Sequence, residues 1–262
     1  MYVHGHHESV LRSHRWRTAE NSAAYLLGHL VPGMSLLDVG SGPGTITVDL
    51  ARRVSPGRVT ALEATEAALR HTRAEADRQG VELAYLVGDA HAIEAPDATY
   101  DVVHAHQVLQ HVADPVRVLG EMRRVCRPGG IVAARDSDYA GFTWFPELSE
   151  LDEWLAIYRR VARRNGGEPD AGRRLLSWAR AAGFTDVTPS CSTWLFATDA
   201  DRTWWGGLWA DRVVESDFAR HAVDLGEATM DDLRRIRRAW LTWSAAPDGW
   251  FALLHGEILC RA

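Results

Sequence analysis

The chain has 262 residues, is 46% hydrophobic and 24% charged, and carries a formal net charge of −6; this is the composition of a globular protein of one or two domains and excludes a disordered chain. All 29 basic residues are arginine and lysine is absent, which excludes Schiff-base chemistry on a lysine and a P-loop nucleotidase, whose phosphate-binding lysine is missing. The acidic balance is spread along the chain, so no basic face is expected and a nucleic-acid partner held through its phosphates is disfavoured.

The three cysteines, Cys126, Cys191 and Cys260, stand far apart with no CxxC pair, so no zinc or thioredoxin motif is expected and a reducing cytoplasm suits them. The amino-terminal stretch is polar without an apolar signal core, and no run of about 18 apolar residues exists, so neither export nor a membrane span is expected. His4, His6 and His7 read as part of a polar, disordered start rather than as a metal site; no metal is expected.

In chain order, 13–29 reads as an amphipathic helix broken by Val31-Pro32-Gly33. A buried strand over 35–40 ends in glycines, and a helix over 43–53 follows with Pro43 near its first turn. The pattern continues with a strand at 58–63, a helix at 65–79 closed by Gly80, strands at 83–88 and 100–106, and a helix at 115–126. A turn at 127–130 leads into a strand at 131–135. Strands alternating with helices imply a parallel sheet covered on both faces, with ligands outside the carboxyl ends of its strands. Ten of the 11 tryptophans lie beyond residue 143. There, helices are expected at 151–164, 172–182 and 229–244, strands at 187–197 and 250–260, and an inserted helical cap at about 199–228. Leu233, Ile236, Trp240 and Trp243 recur at helical spacing and read as core.

The segment Leu37-Asp38-Val39-Gly40-Ser41-Gly42-Pro43-Gly44-Thr45 joins strand to helix through glycines, which permit positive φ and a close ligand approach. Glu63 stands nineteen residues after Gly44 at the end of the next strand, the distance at which a carboxylate reaches a ribose diol. A dinucleotide fingerprint requires a glycine where Thr45 stands. Asp38 beside the loop repels a pyrophosphate but accepts hydrogen bonds from an ammonium or a water. An adenosyl ligand with an amino-acid tail therefore fits better than NAD.

These residues resemble those of the class I S-adenosylmethionine-dependent methyltransferases, closest to the small-molecule enzymes of ubiquinone and menaquinone biosynthesis. Leu36–Thr45 is similar to the family's first motif, Val59–Glu63 to its second, Val87–Ala90 to its third and Tyr100–His111 to its fourth, with Arg127–Gly130 as the turn before strand five. The resemblance is strong over about 14–138 and weak beyond. It implies a Rossmann-like α/β fold: a seven-stranded sheet with helices on both faces, an N-terminal helix and the cap, as one domain over 1–262 (lid 1–33, cofactor core 34–138, sheet completion and cap 139–262). It implies S-adenosylmethionine as cofactor and S-adenosylhomocysteine as product. Arg17, Thr18, Asp38, Gly40, Ser41, Gly42, Gly44, Glu63, Ala64, Asp89, Ala90, His106 and His111 are the implied cofactor residues. Arg17 or Thr18 is placed at the methionine carboxylate and Asp89 at the adenine amine.

Methyl transfer needs an acceptor held in line with the methyl group, and a base only where the acceptor carries a proton. His106 and His111 after the fourth strand, and Asp136, Asp138 and Tyr139 after the fifth, are the candidates to orient or deprotonate it; His106, His111 and Asp138 lead. Tyr139, Phe142, Trp144, Trp205 and Trp209 are the candidate acceptor wall, since aromatic faces hold flat apolar or cationic groups. The expected function is methyl transfer to O, N or C of a small organic molecule, in cofactor or secondary-metabolite synthesis, without stable membrane association. The alternatives are a cyclase-type enzyme or a non-catalytic interaction protein that binds the same cofactor, and a nicotinamide oxidoreductase. Monomer and homodimer are both compatible with the sequence.

Overall fold

The computed structural model of the protein describes residues 13–262; His4, His6 and His7 lie outside the described residues. The backbone packs into two compact units, neither a continuous stretch of chain. One, the sheet unit, comprises His14–Asp136, Ala171–Ser192 and His255–Ala262; the other, the aromatic unit, comprises Ser137–Asp170 and Thr193–Leu254 together with Ser13.

The sheet unit is built from β1 (Leu36–Val39), β2 (Val59–Glu63), β3 (Ala84–Val87), β4 (Tyr100–His106) and β5 (Cys126–Ser137). These pair in the order β3-β2-β1-β4-β5, and the four contacts are parallel. Strands β7 (Val187–Phe196) and β8 (Trp250–Arg261) extend the order past β5, β8 beside β5 and β7 beside β8. The helices of this unit are α1 (Ala19–Ser22) and α2 (Ala24–Leu27) before β1, then α3 (Thr45–Val54), α4 (Glu66–Gln79), α5 (Pro115–Val125) and, later in the chain, α7 (Leu175–Ala181).

Side-chain alternation along the strands sorts the apolar residues into two layers. Leu36, Val102, Ile131 and Ala133 meet Leu26 of α2 and Ile46, Leu50 and Val54 of α3. Leu37, Val39, Val103, Ala105, Val132 and Ala134 meet Val118, Leu119 and Met122 of α5 and Leu175 of α7. The parallel sheet is thus buried on both faces, and the ends of β1, β2 and β4 are left to build a site.

Three local expectations are corrected. The expected helix over 13–29 is divided: Thr18 and Asn21 form a capping box that starts α1, and α1 ends at Ala23, with φ −137°. Asn21 also donates to the Trp16 carbonyl and accepts from Ser22 Oγ, side-chain bonds that compete with a continuous helix. The expected turn at 127–130 is part of β5, with a register shift opposite Tyr100 and Val102; Gly129 N donates to Ala262 O and Ala262 N to Gly130 O. The helix expected from 43 begins at Thr45, because Gly44 is left-handed.

The aromatic unit holds β6 (Thr143–Phe145), α6 (Ser149–Arg164), α8 (Asp199–Glu215), α9 (Asp217–Asp224) and α10 (Met230–Ala245). Three-residue β6, too short to be read from sequence, pairs antiparallel with the first residues of β8 and is an eighth strand beside the seven expected. Trp154 of α6 lies at the centre, edge-on to Trp209 at 4.5 Å and to Trp240 at 4.9 Å, all three fully buried. Helices α8 and α10 cross closely at Gly206, where a Cβ would stand 2.7 Å from Ser244 Cβ. Asp170 accepts from Arg159 and Arg163 and from Ala140 N, fixing the segment that follows β5. Among the described residues no helix is long and apolar enough to cross a membrane.

Removing the central ring leaves a cavity that rigid neighbouring rings cannot fill. Trp154→Ala should destabilise the protein by about 3–5 kcal/mol in urea unfolding.

Candidate cofactor site

The site begins where β1 ends. Gly40, Gly42 and Gly44 have φ of +71°, +56° and +87°, a backbone that L side chains rarely adopt. The three glycines differ in surroundings. A Cβ on Gly40 would meet Val108 Cγ2 at 2.5 Å, and one on Gly44 would meet Thr72 Cα at 2.9 Å. One on Gly42 would meet nothing within 4 Å. Gly40 and Gly44 therefore serve the loop's own packing, while Gly42 presents open backbone.

The loop is tied to the end of β2. Gly42 N donates to Glu63 Oε1 at 2.7 Å, and Ala64 N donates to Glu63 Oε2 at 3.2 Å. Gly40 N and Ser41 N both donate to Leu62 O. Ser41 Oγ and Thr72 Oγ1 lie 3.0 Å apart, and Thr72 Oγ1 donates to Gly42 O. Buried Asp38 accepts from Thr47 Oγ1 at 2.5 Å and from His104 Nδ1 at 2.8 Å, joining β1, α3 and β4. At the end of β3, Asp89 Oδ1 accepts from His91 N and meets His91 Nδ1 at 2.7 Å; the Asp89 side chain is 68% exposed. These bonds hold its carboxyl below the usual range. Ala90 follows in the same turn, packed against the core.

The end of β4 carries a second group. Thr18 caps α1 by accepting from Asn21 N. Arg17 Nη2 donates to Gln107 Oε1 at 2.7 Å, and Gln107 Nε2 meets His255 Nε2 at 2.9 Å. Gln107 itself has a φ of +54°. It was not legible as a site residue: strand-end logic marks the histidines beside it, and neither its left-handed backbone nor its bridging role has a sequence signature. His106 is buried with its ring stacked 6.4 Å from His255. Burial, reinforced by Arg17 and Arg135, holds the His106 imidazole well below its usual range, and burial with Arg17 lowers His111 to about 3. Asp136, at the end of β5, is buried and pushed up to about 7 by burial, opposed by the backbone N–H groups of Gln110 and Leu109.

The structure thus brings Arg17, Thr18, Asp38, the glycine loop, Glu63, Ala64, Asp89, Ala90, His106 and His111 into the sheet unit, and places Asp138, Tyr139, Phe142, Trp144, Trp205 and Trp209 in the aromatic unit. Tyr139 stacks 4.1 Å from Tyr158 and lies 4.4 Å from Phe142; Trp144 stacks on Phe251 at 5.4 Å. Trp205 and Trp209 are buried among other rings, and Trp144 alone of the five expected wall residues is half-exposed. Asp138 is buried in a bridge with Asp170.

The donor set suits an adenosyl nucleoside. A carboxylate is fixed at the end of β2, an accessible carboxylate stands at the end of β3, and bare glycine backbone lies open between strand and helix. The relatives of the chain agree. A family profile described as a methyltransferase domain matches residues 37–134. An uncharacterised methyltransferase of Schizosaccharomyces pombe is 33% identical over 99% of this chain and 96% of its own length. A ubiquinone biosynthesis O-methyltransferase of Aeromonas salmonicida is 39% identical over 102 residues, 38% of this chain and 42% of its own. The YcgJ protein of Bacillus subtilis shares the fold, with a TM-score of 0.60 at 18% identity over 92% of this chain and 98% of that one. The chain belongs to the class I S-adenosylmethionine-dependent methyltransferases. It is a methyltransferase, and its cofactor is S-adenosylmethionine.

The glycine geometry separates binding from folding. Gly42→Ala should cost about 1–2 kcal/mol for its left-handed backbone yet lower S-adenosylmethionine affinity at least tenfold by calorimetry. Gly44→Ala should lose more stability, because its Cβ strikes Thr72 backbone. The histidines give the second test. Their native pKa values lie below the roughly 6.5 of the unfolded chain, so between about 3 and 6.5 the unfolded state binds more protons and stability falls as pH falls. His111→Asn should flatten part of that slope in urea unfolding measured from pH 7 to pH 5.

Proposed function

We propose that this methyltransferase acts on a small organic acceptor in the cytoplasm. The observation that carries the cofactor half of this reading is the Glu63 carboxylate, fixed by Gly42 N and Ala64 N at the end of β2 beside open Gly42. A carboxylate so held is preorganised to accept from both ribose hydroxyls. Asp89 accepts from the adenine amine through the oxygen that His91 leaves, and Ala90 lines the same edge. Arg17, oriented by Gln107, meets the methionine carboxylate. Thr18 and Asp38 act through others: Thr18 starts the helix behind Arg17, and Asp38 locks β1 to α3 and β4. Gly40, Ser41 and Gly44 shape the loop.

When bound, S-adenosylmethionine supplies an electrophilic methyl on a sulfonium. The chain's share is to hold an acceptor about 3 Å from it and in line, which supplies most of the acceleration. Neutral His106 and His111 stand at the end of β4, where strand-end groups face ligand in such sheets. For the acceptor itself, Asp138, Tyr139, Phe142, Trp144, Trp205 and Trp209 are the candidates. The accessible face of Trp144 makes it the first among them, because the others pack chiefly on one another.

A small acceptor, rather than a nucleic acid, is supported by the net charge of −6 and the absence of lysine. A reducing compartment is supported by three unpaired cysteines. We read the two compact units as parts of one methyltransferase domain, since the described chain passes between them five times.

Thermal unfolding with S-adenosylmethionine, S-adenosylhomocysteine or NAD tests the reading. Either sulfur ligand at about 100 times its dissociation constant should stabilise by about 2.7 kcal/mol, and NAD should not. Glu63→Ala should weaken both sulfur ligands about ten- to hundred-fold, the equivalent of the roughly 1.5–3 kcal/mol of hydrogen bonds to a charged group. Stabilisation by NAD alone would overturn the assignment. Release of S-adenosylhomocysteine then reports on a panel of phenols, amines and carboxylates.

A further inference from the structure

Asp136 ends the described sheet-unit part of β5, fully buried. Its Oδ1 accepts from Gln110 N at 3.1 Å, and Leu109 N also points to its carboxyl. Those backbone donors fix the carboxyl plane and close the turn after β4. Its Oδ2 is buried without a hydrogen-bond partner among the described residues. Closing a turn needs one acceptor, which an asparagine or serine supplies without burying a charge. A second carboxyl oxygen buried unpaired is costly and needs an explanation. This unpaired acceptor asks for a donor, and it lies at the carboxyl end of β5, beside parallel β4, where ligands of this architecture bind.

We propose that Asp136 Oδ2 receives the proton of the methyl acceptor, which therefore presents an O–H or N–H to this carboxylate. The proposal rests on the methyltransferase reading above. In the reaction, the acceptor's lone pair forms the new bond to the methyl carbon. The carbon–sulfur bond breaks with its electron pair passing to sulfur, and the acceptor's proton moves to Asp136 Oδ2, giving a neutral acid. The charged and titratable groups facing Asp136 are Arg135 on β5, Arg17 from the amino-terminal segment and the buried Tyr25 hydroxyl on α2, with Glu257 of β8 paired to Arg135. Burial raises the carboxyl while the two arginines lower it. The balance leaves a base whose affinity for a proton suits neutral pH.

The test uses three flat probes of similar size: phenol with an O–H, aniline with an N–H, and anisole with neither. Binding to the full-length protein, with and without S-adenosylhomocysteine, is read by saturation-transfer NMR. The Asp136 carboxyl is followed by 13C titration, assigned with Asp136→Asn. Phenol and aniline should bind at least tenfold tighter than anisole, and phenol should lower the Asp136 titration midpoint because it donates to the ionised form. Asp136→Asn should erase the preference while still binding S-adenosylmethionine, which also reports that it has folded. Equal binding of all three probes, or a midpoint indifferent to phenol in the wild-type protein, overturns the proposal even if the variant misfolds. Failure of the wild-type protein to bind S-adenosylmethionine overturns the methyltransferase reading and this proposal with it. Normal cofactor binding with indifferent probes overturns this proposal alone.

Discussion

The hydrogen bond from Gly42 N to Glu63 is the constraint on which the cofactor site depends. It joins the turn after β1 to the end of β2, two strands already paired in parallel. The turn exists only because three residues without a Cβ adopt left-handed backbone, two of them to let Val108 and Thr72 approach. The carboxylate fixed in this way accepts from Gly42 N on one oxygen and from Ala64 N on the other. One contact thus sets loop shape, strand-end alignment and the position of the Glu63 carboxylate.

Behind that edge the sheet unit carries more buried polarity than packing requires. Asp38 bonds Thr47 Oγ1 and His104 Nδ1 within a short reach across β1, β4 and α3. Arg135 is buried against Glu257 and Ser192. Low dielectric strengthens each bond and raises the cost of any group left alone, so these networks hold the strand ends in one arrangement. The same low dielectric keeps His106 and His111 neutral and makes Asp136 a near-neutral acid. Stability and chemistry here draw on the same burial.

The aromatic unit uses another means. Its rings meet edge-to-face and offset, with Trp154 between Trp209 and Trp240 and Phe251 close to both Trp144 and Trp240. Such pairs add about 0.5–1.5 kcal/mol each beyond area burial. The price of this packing is that Trp205 and Trp209 have their faces occupied by neighbours. Large flat side chains clustered in sequence serve first as core, and only a half-exposed ring such as Trp144 keeps a face for anything else.

The sequence by itself determined the alternation of strands and helices, the glycine loop, and the carboxylates at the ends of β2 and β3. These are local matters: hydrophobic period, backbone sterics and spacing along one chain. It placed Trp240 and Trp243 in the core for the same reason, because helical period puts them on one face. Tertiary structure alone decided that α1 stops at Ala23, that Arg127–Gly130 joins β5 by pairing with the last residue of the chain, and that β6 finds β8. It alone made Gln107 the bridge between Arg17 and His255, residues 90 and 148 positions away along the chain. It alone left one oxygen of Asp136 without a partner among the described residues. Each of these depends on which distant groups arrive at a given atom, and a residue's type and neighbours in sequence carry no record of that.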